Sequence, residues 1–302
     1  MVGDMKTKLA LIALILTIFA GLTIYLHGMI AGAPVENDWG LTYYPAIQAA
    51  IHGENPYQAA DFVNPPWALI PLAAIGALSA TWSMAIIFTA NLAAFLFTMQ
   101  RLRIPAWMIA PLVAFSGVIG NSRLGNIEGL VALGFVMSPT IGLFFVLAKP
   151  QIGIGIAVYW AVEAWRAGGW RKMLRTVAPV TIAYLLAFLI FSNFMARATV
   201  NTDVTWNTAW FPYGIPIGLL LMAISIGARH PGPAMAASVF FSPYVNAITW
   251  TFFWVGLAAW LSSPDSIHFI TANKASKTGT TIAYSAKLPV LAGPRMRHWL
   301  KG

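Results

Sequence analysis

Apolar runs broken by short polar or basic steps recur from residue 9 to residue 262. A helical membrane span needs about 20 apolar residues, and the first run, Leu9–Ile30, meets that length. Residues 31–64 form a polar loop, with Leu41–His52 expected as a short helix along the membrane interface. Gly53-Glu54-Asn55-Pro56 ends it, through a permissive glycine and a proline-restricted asparagine. Pro65-Pro66 opens Trp67–Ala80, which is short for a span and interrupted by Pro71. Ser83–Met99 and Ile104–Ile119 are expected spans separated by Arg101 and Arg103. Ile127–Met137 and Thr140–Ala148 are short apolar pieces divided by Ser138-Pro139. Ile152–Trp165 ends in the strongest basic cluster, Arg166, Arg171, Lys172 and Arg175, and Val177–Phe194 follows. Residues 195–214 form a polar, aromatic loop with Arg197, Asp203, Trp206, Trp210 and Tyr213. Ile215–Ala228, Gly232–Phe241 and Ala247–Leu261 complete the apolar part.

The runs are continuous and rich in Leu, Ala and Ile rather than alternating, so helices are expected and barrel strands are not. The 302 residues are 59% hydrophobic and 9% charged, with a mean hydropathy of +0.72. This composition excludes an ordinary soluble globule and predicts an all-α polytopic membrane protein. No stretch is polar enough for a separate soluble domain. Residues 1–263 are therefore one transmembrane domain, and 264–302 a basic cytoplasmic tail.

The net charge of +9 lies between spans and in the tail. That distribution fits the positive-inside rule and anionic inner-leaflet lipids, not a nucleic-acid partner. Lys6 and Lys8 set the N-terminus in the cytoplasm. Placing the 166–175 cluster on the same side requires an even number of earlier crossings. Making Trp67–Ala80 re-entrant satisfies this, and about ten crossings then leave both termini cytoplasmic. The acidic loop, Gly125–Glu128, Lys149, the 195–214 loop and Ser242–Tyr244 come to the outer face. Broken helices at membrane depth line protein or a wet cavity, so an outward-facing cavity is expected.

Candidate chemistry concentrates in the first loop. Four of the nine acidic residues fall between Glu36 and Asp61. Glu36 and Asp38 stand in an acid-x-acid arrangement beside Trp39, Tyr43 and Tyr44. A carboxylate here can act as a general base on a hydroxyl or hold a cation; the plainer reading is a solvated loop acid. Lys149 follows the apolar piece Thr140–Ala148 and needs an anionic partner, such as a lipid phosphate, or a route to water by snorkelling. Arg123 and Glu128 flank a Gly-Asn step, either as a structural pair or as ligand contacts. His52 and His27 can assist proton transfer or serve as interfacial polar residues. The chain has no cysteine, no zinc-like ligand spacing, no Walker loop and no dinucleotide fingerprint. Gly153-x-Gly155 reads as close helix packing.

Asp38, Tyr43-Tyr44, Gly53, Asn55-Pro56-Tyr57, Phe62, Pro65-Pro66 and Pro71-Leu72 stand in an ordered pattern. That pattern resembles the first external loop of the GT-C membrane glycosyltransferases. The closest similarity is to glycosyltransferase family 87, the polyprenyl-phosphate-mannose-dependent mannosyltransferases. Gly125–Glu128, Lys149-Pro150 and Ser242–Tyr244 follow in the matching order, and the resemblance covers residues 9–262. It implies a GT-C-like bundle with an external first loop and re-entrant or broken short helices, in a bacterial plasma membrane.

The implied reaction is inverting transfer of a mannose-like sugar from a polyprenyl phosphate to a lipid or glycan acceptor at the extracytoplasmic face. No cofactor or divalent metal is implied. By resemblance Asp38 is the catalytic base and Glu36 its support, while Lys149 or Arg123 would stabilise the leaving phosphate. The expected substrate contacts are Tyr43, Tyr44, His52, Asn126, Glu128 and Tyr244. Residues 125–128 read GNIE where family members commonly have Gly-Gln-x-Asn, and the chain is shorter than typical members. These departures motivate a second expectation, a catalytically inactive GT-C-like scaffold with a membrane-complex partner. A transporter or channel ranks last, because no inverted repeat is visible.

Overall fold

The computed structural model describes residues 2–32, 34–59, 61–191, 194 and 204–263, and among these it is all-helical, with no strand. Arg197, Asp203 and the basic tail at 264–302 lie outside the described residues. Among the described residues three helices are long and apolar enough to cross a membrane: Ile12–Ile30, Ala80–Arg101 and Pro150–Ile190. The first has none of its apolar window buried. Ile12, Leu16, Ile18 and Ile24 are exposed on several sides of it. Thr23, which donates to Thr89 Oγ1 at 3.1 Å, and His27, stacked on Trp82 at 3.7 Å, tie one side of it to the helix Ala80–Arg101, and the rest of its apolar surface belongs in lipid.

Several of the expected apolar segments are broken or shorter. Ile104–Ile119 is not one span: the helix Ala106–Phe115 stops at Ser116, and Val118–Leu124 begins anew. The cause is tertiary. Thr251 donates its hydroxyl to the Ser116 carbonyl, and Gly117 turns at φ 96° with Ile248 and Thr251 where a Cβ would stand. Ile127–Met137 and Thr140–Ala148 become Glu128–Gly134 and Pro139–Val146, of 7 and 8 residues. At about 1.5 Å per residue neither reaches across a hydrocarbon core of about 30 Å. Trp67–Ala80 is a 3₁₀ helix, Pro66–Leu72, running into the single turn Ala73–Gly76.

The chain divides into two compact units. The first comprises Met1–Leu96, Val118–Leu130 and Tyr184–Val200. Here the polar loop is folded into a core. A π-helix, Trp39–Tyr43, leads directly into the helix Tyr44–Ile51. Asn55 Oδ1 accepts the Tyr57 amide and so turns the chain into Pro56–Ala59. Tyr57 and Phe62 are fully buried, with ring centroids 5.3 Å apart. Tyr57 also meets Phe191 and Phe194 at 5.3 and 5.4 Å. Offset and tilted contacts of this kind suit the aromatic quadrupole.

The second unit comprises Phe97–Gly117, Val131–Ala183 and Asn201–Gly302. Glycine contacts set its helix crossings. A Cβ on Gly232 would lie 2.5 Å from the Gly256 carbonyl, and one on Gly256 equally close to that of Gly232. The helices Pro231–Ala237 and Thr251–Leu261 therefore touch backbone to backbone, as small residues permit. Gly155 packs the same way, against the Ala234 carbonyl, and donates its amide to Ser238 Oγ at 3.0 Å. The helix Pro150–Ile190 is two helices that meet at Gly168-Gly169, where Gly169 has φ 65° and ψ −165°.

Candidate functional site

Asp38 is held from both sides. Asn37 donates its Nδ2 to the Arg123 carbonyl at 3.0 Å and to Met84 Sδ at 3.3 Å, while its Oδ1 accepts the Gly40 amide. Trp39 is fully buried and donates Nε1 to Ser83 Oγ at 2.8 Å. The half-buried acid between these anchors has helical backbone angles and makes no cap to the helix it precedes. Its carboxylate turns instead to Asn126, whose Nδ2 donates to Asp38 Oδ2 at 2.8 Å. Among the described residues this is the only hydrogen bond to the carboxylate, and Asp38 makes no ion pair. One of its two oxygens is left to receive something else.

Asn126 is itself fixed at three points. Tyr43 Oη donates to its Oδ1 at 3.0 Å, and Asn91 Nδ2 donates to its backbone carbonyl at 2.7 Å. Asn126, Tyr43 and Asn91 are all buried. A carboxylate only accepts hydrogen bonds, so the amide presents nitrogen to Asp38 and oxygen to the tyrosine. The turn before it requires glycine, because Gly125 has φ 65° and a Cβ there would lie 2.5 Å from Trp39 Cβ. Gly129, one turn on, packs against Asn91 with no room for a side chain. The GNIE step is thus a socket for the first loop, and both its glycine and its asparagine are used.

The other expected residues of the first unit do not bond to Asp38. Glu36 is exposed and makes no hydrogen bond or ion pair among the described residues, so the acid-x-acid motif contributes one oriented acid and an anchoring asparagine between the two. Arg123 is exposed and Glu128 fully buried. The Arg123–Glu128 pair does not form among the described residues. Tyr44 donates to the Leu78 carbonyl at 3.2 Å, and His52 Nδ1 sits 2.7 Å from the Gln48 carbonyl at a helix end. Both tie the loop together and neither touches Asp38. Lys149 and Tyr244 belong to the second unit. Lys149 is 7% exposed, and its carbonyl accepts the Ile152 and Gly153 amides where the helix Pro150–Ile190 begins. Tyr244 is clasped by Ser242, which accepts its amide and donates to its carbonyl, while its hydroxyl accepts from Trp206.

Sequence reasoning passed over Asn37, Ser83 and Asn91. Asn91 carried a signal, being an amide inside an otherwise apolar span, where polar side chains are expected to bond across helices. Asn37 carried one too: asparagine three residues before glycine suits an Asx-type cap. Among the described residues no three His, Asp or Glu side chains gather as metal ligands. The site offers one oriented carboxylate at a loop surface, with an exposed guanidinium on the residue whose carbonyl anchors the loop. No family model, curated protein or solved structure matches this chain.

Proposed function

We propose that this protein is a polytopic membrane glycosyltransferase that uses a polyprenyl-phosphate sugar as donor. The supporting observation is the Asp38 carboxylate, oriented by Asn126 and left with one oxygen without a partner among the described residues. In this reading Asp38 takes the proton from an acceptor hydroxyl. The acceptor oxygen then bonds to the anomeric carbon as the bond from that carbon to the phosphate oxygen breaks. The polyprenyl phosphate leaves with the electron pair, and the anomeric configuration inverts. A fixed carboxylate within hydrogen-bond reach of the hydroxyl is what general-base catalysis requires. Arg123, exposed and in the same unit, is the cation assigned to the developing phosphate charge. The reading also carries a polytopic topology with the first loop facing away from the cytoplasm and both termini on the cytoplasmic side of a bacterial plasma membrane.

The test is transfer itself. Purified protein in liposomes, supplied with polyprenyl-phospho-mannose labelled in the sugar and a membrane-lipid extract as acceptor, is expected to form labelled glycolipid and release polyprenyl phosphate. Intact donor across mannose, glucose and galactose forms contradicts the reading. Intact donor together with a stoichiometric co-purifying subunit supports a GT-C-like scaffold instead.

A further inference from the structure

The break at Gly168-Gly169 gathers charge that nothing in the transfer reading uses. Arg166, Arg171, Lys172 and Arg175 flank it in sequence, and Arg229 joins them from the end of the helix Ile215–Ala228 through Glu163, the lone acid. Glu163 is fully engaged. Its Oε1 accepts Arg166 Nη1 at 2.8 Å, and its Oε2 accepts Arg229 Nη2 at 3.1 Å. Arg166 also donates to the Ile226 carbonyl at 2.8 Å, and the His230 ring accepts the Gly232 amide. Arg171 and Arg175 are exposed and make no ion pair among the described residues. The Arg171 guanidinium lies 5.6 Å from the centroid of the Trp170 ring, which holds it out from the helix.

Two further observations give the depth of this break. Ile182, Leu185, Leu186 and Leu189 on one arm, and Ile154 and Val158 on the other, are exposed apolar side chains. They require hydrocarbon around them, whereas five cations cannot enter it. Trp165 and Trp170 are 53% and 56% exposed on either side of the glycines, and exposed tryptophans of this kind settle at the headgroup layer. A surface at that depth, with guanidiniums left over after its one carboxylate is satisfied, matches a phosphate-bearing headgroup.

We propose that this elbow binds anionic phospholipid, with Arg171 and Arg175 contacting the headgroup phosphate and Trp165 and Trp170 resting at the chain boundary. The inference is independent of the transfer chemistry at Asp38. Full-length protein is reconstituted in nanodiscs of phosphatidylcholine alone or mixed with phosphatidylglycerol. Bound lipid is counted by native mass spectrometry and thermal midpoints are compared. Wild type is expected to retain phosphatidylglycerol several-fold over phosphatidylcholine and to melt higher in the mixed discs. R171Q/R175Q should lose both effects while matching wild type in phosphatidylcholine, and R103Q should keep them. If the double variant does not fold, R175Q alone is expected to lose part of the selectivity. Equal retention of the two lipids, unchanged selectivity in R175Q, or equal protection by inorganic phosphate would each overturn the proposal.

Discussion

Asn126 points its amide nitrogen at the Asp38 carboxylate, 2.8 Å away, across 88 positions of sequence. The Tyr43 hydroxyl holds the other end of the same amide. Asp38 is thereby oriented by neutral groups that cannot take its proton. The arrangement suits a base whose single task is to receive one from outside.

Replacing Asn126 by aspartate keeps the shape and the tyrosine contact but sets two carboxylates against each other. Transfer is expected to fall by roughly 10²-fold, the lower end of what a positioned base contributes. Adding Asp38→Asn to Asn126→Asp removes the like-charge repulsion and keeps the tyrosine contact, so a higher thermal midpoint for the double variant than for Asn126→Asp alone reads the electrostatic part. Equal midpoints would show that the pair is not close in solution.

Asn91 supports the socket from inside the apolar helix Ala80–Arg101. Asn91→Leu leaves the buried Asn126 carbonyl without its donor, at an expected cost of about 1–3 kcal/mol. Denaturation in mild detergent checks this, and a change within error would mean that the carbonyl finds another donor.

Gly125 and Gly53 separate two effects. Both have positive φ, at 65° and 78°, but only Gly125 has a neighbour where a Cβ would stand. Gly53→Ala should cost about 1–2 kcal/mol for the left-handed backbone alone. Gly125→Ala should cost clearly more, because Trp39 must move, and it should also lower transfer. Equal thermal shifts for the two variants would remove the close approach from the account.

Tyr57 carries a pH dependence. Its hydroxyl donates to the Asn64 carbonyl at 2.8 Å. Burial, and secondarily Tyr184, push its pKa well above the ordinary value of 10.0. The unfolded chain loses this proton near its ordinary pKa while the folded chain keeps it. Stability from this group is therefore complete below pH 10.0 and declines as pH rises above it. Tyr57→Phe should be less stable at neutral pH through the lost hydrogen bond, and should lose less on going to pH 11 (roughly one unit above the ordinary value). A wild-type melting curve as flat in alkali as that of the variant would contradict this.

The sequence made some of this visible. Ile215–Ala228 was readable to its ends because the polar step Arg229-His230 and then Pro231 follow it. The Ser138-Pro139 division was readable because proline starts the next helix there. Asp38 stood out as an acid in a chain with few acids. What escaped depends on tertiary contacts. No local pattern announces that Thr251 will take the Ser116 carbonyl and cut an apolar run in two. None says which of Tyr43 and Tyr44 turns toward Asn126. Tyr43 does, from the π-helix Trp39–Tyr43, while Tyr44 turns to the Leu78 carbonyl. The identity of the central residue in Glu36-Asn37-Asp38 looked incidental in sequence, yet that asparagine is what anchors the loop.

The most direct test compares wild-type protein with Asp38→Asn, a near-isosteric change that can still bond to Asn126 once its own amide rotates. Both are incubated with labelled polyprenyl-phosphate sugar and lipid acceptor under identical conditions. The variant is expected to bind donor and melt within a few degrees of wild type, while transfer falls by at least about 10²-fold. Equal product from the two proteins would show that Asp38 is not the base.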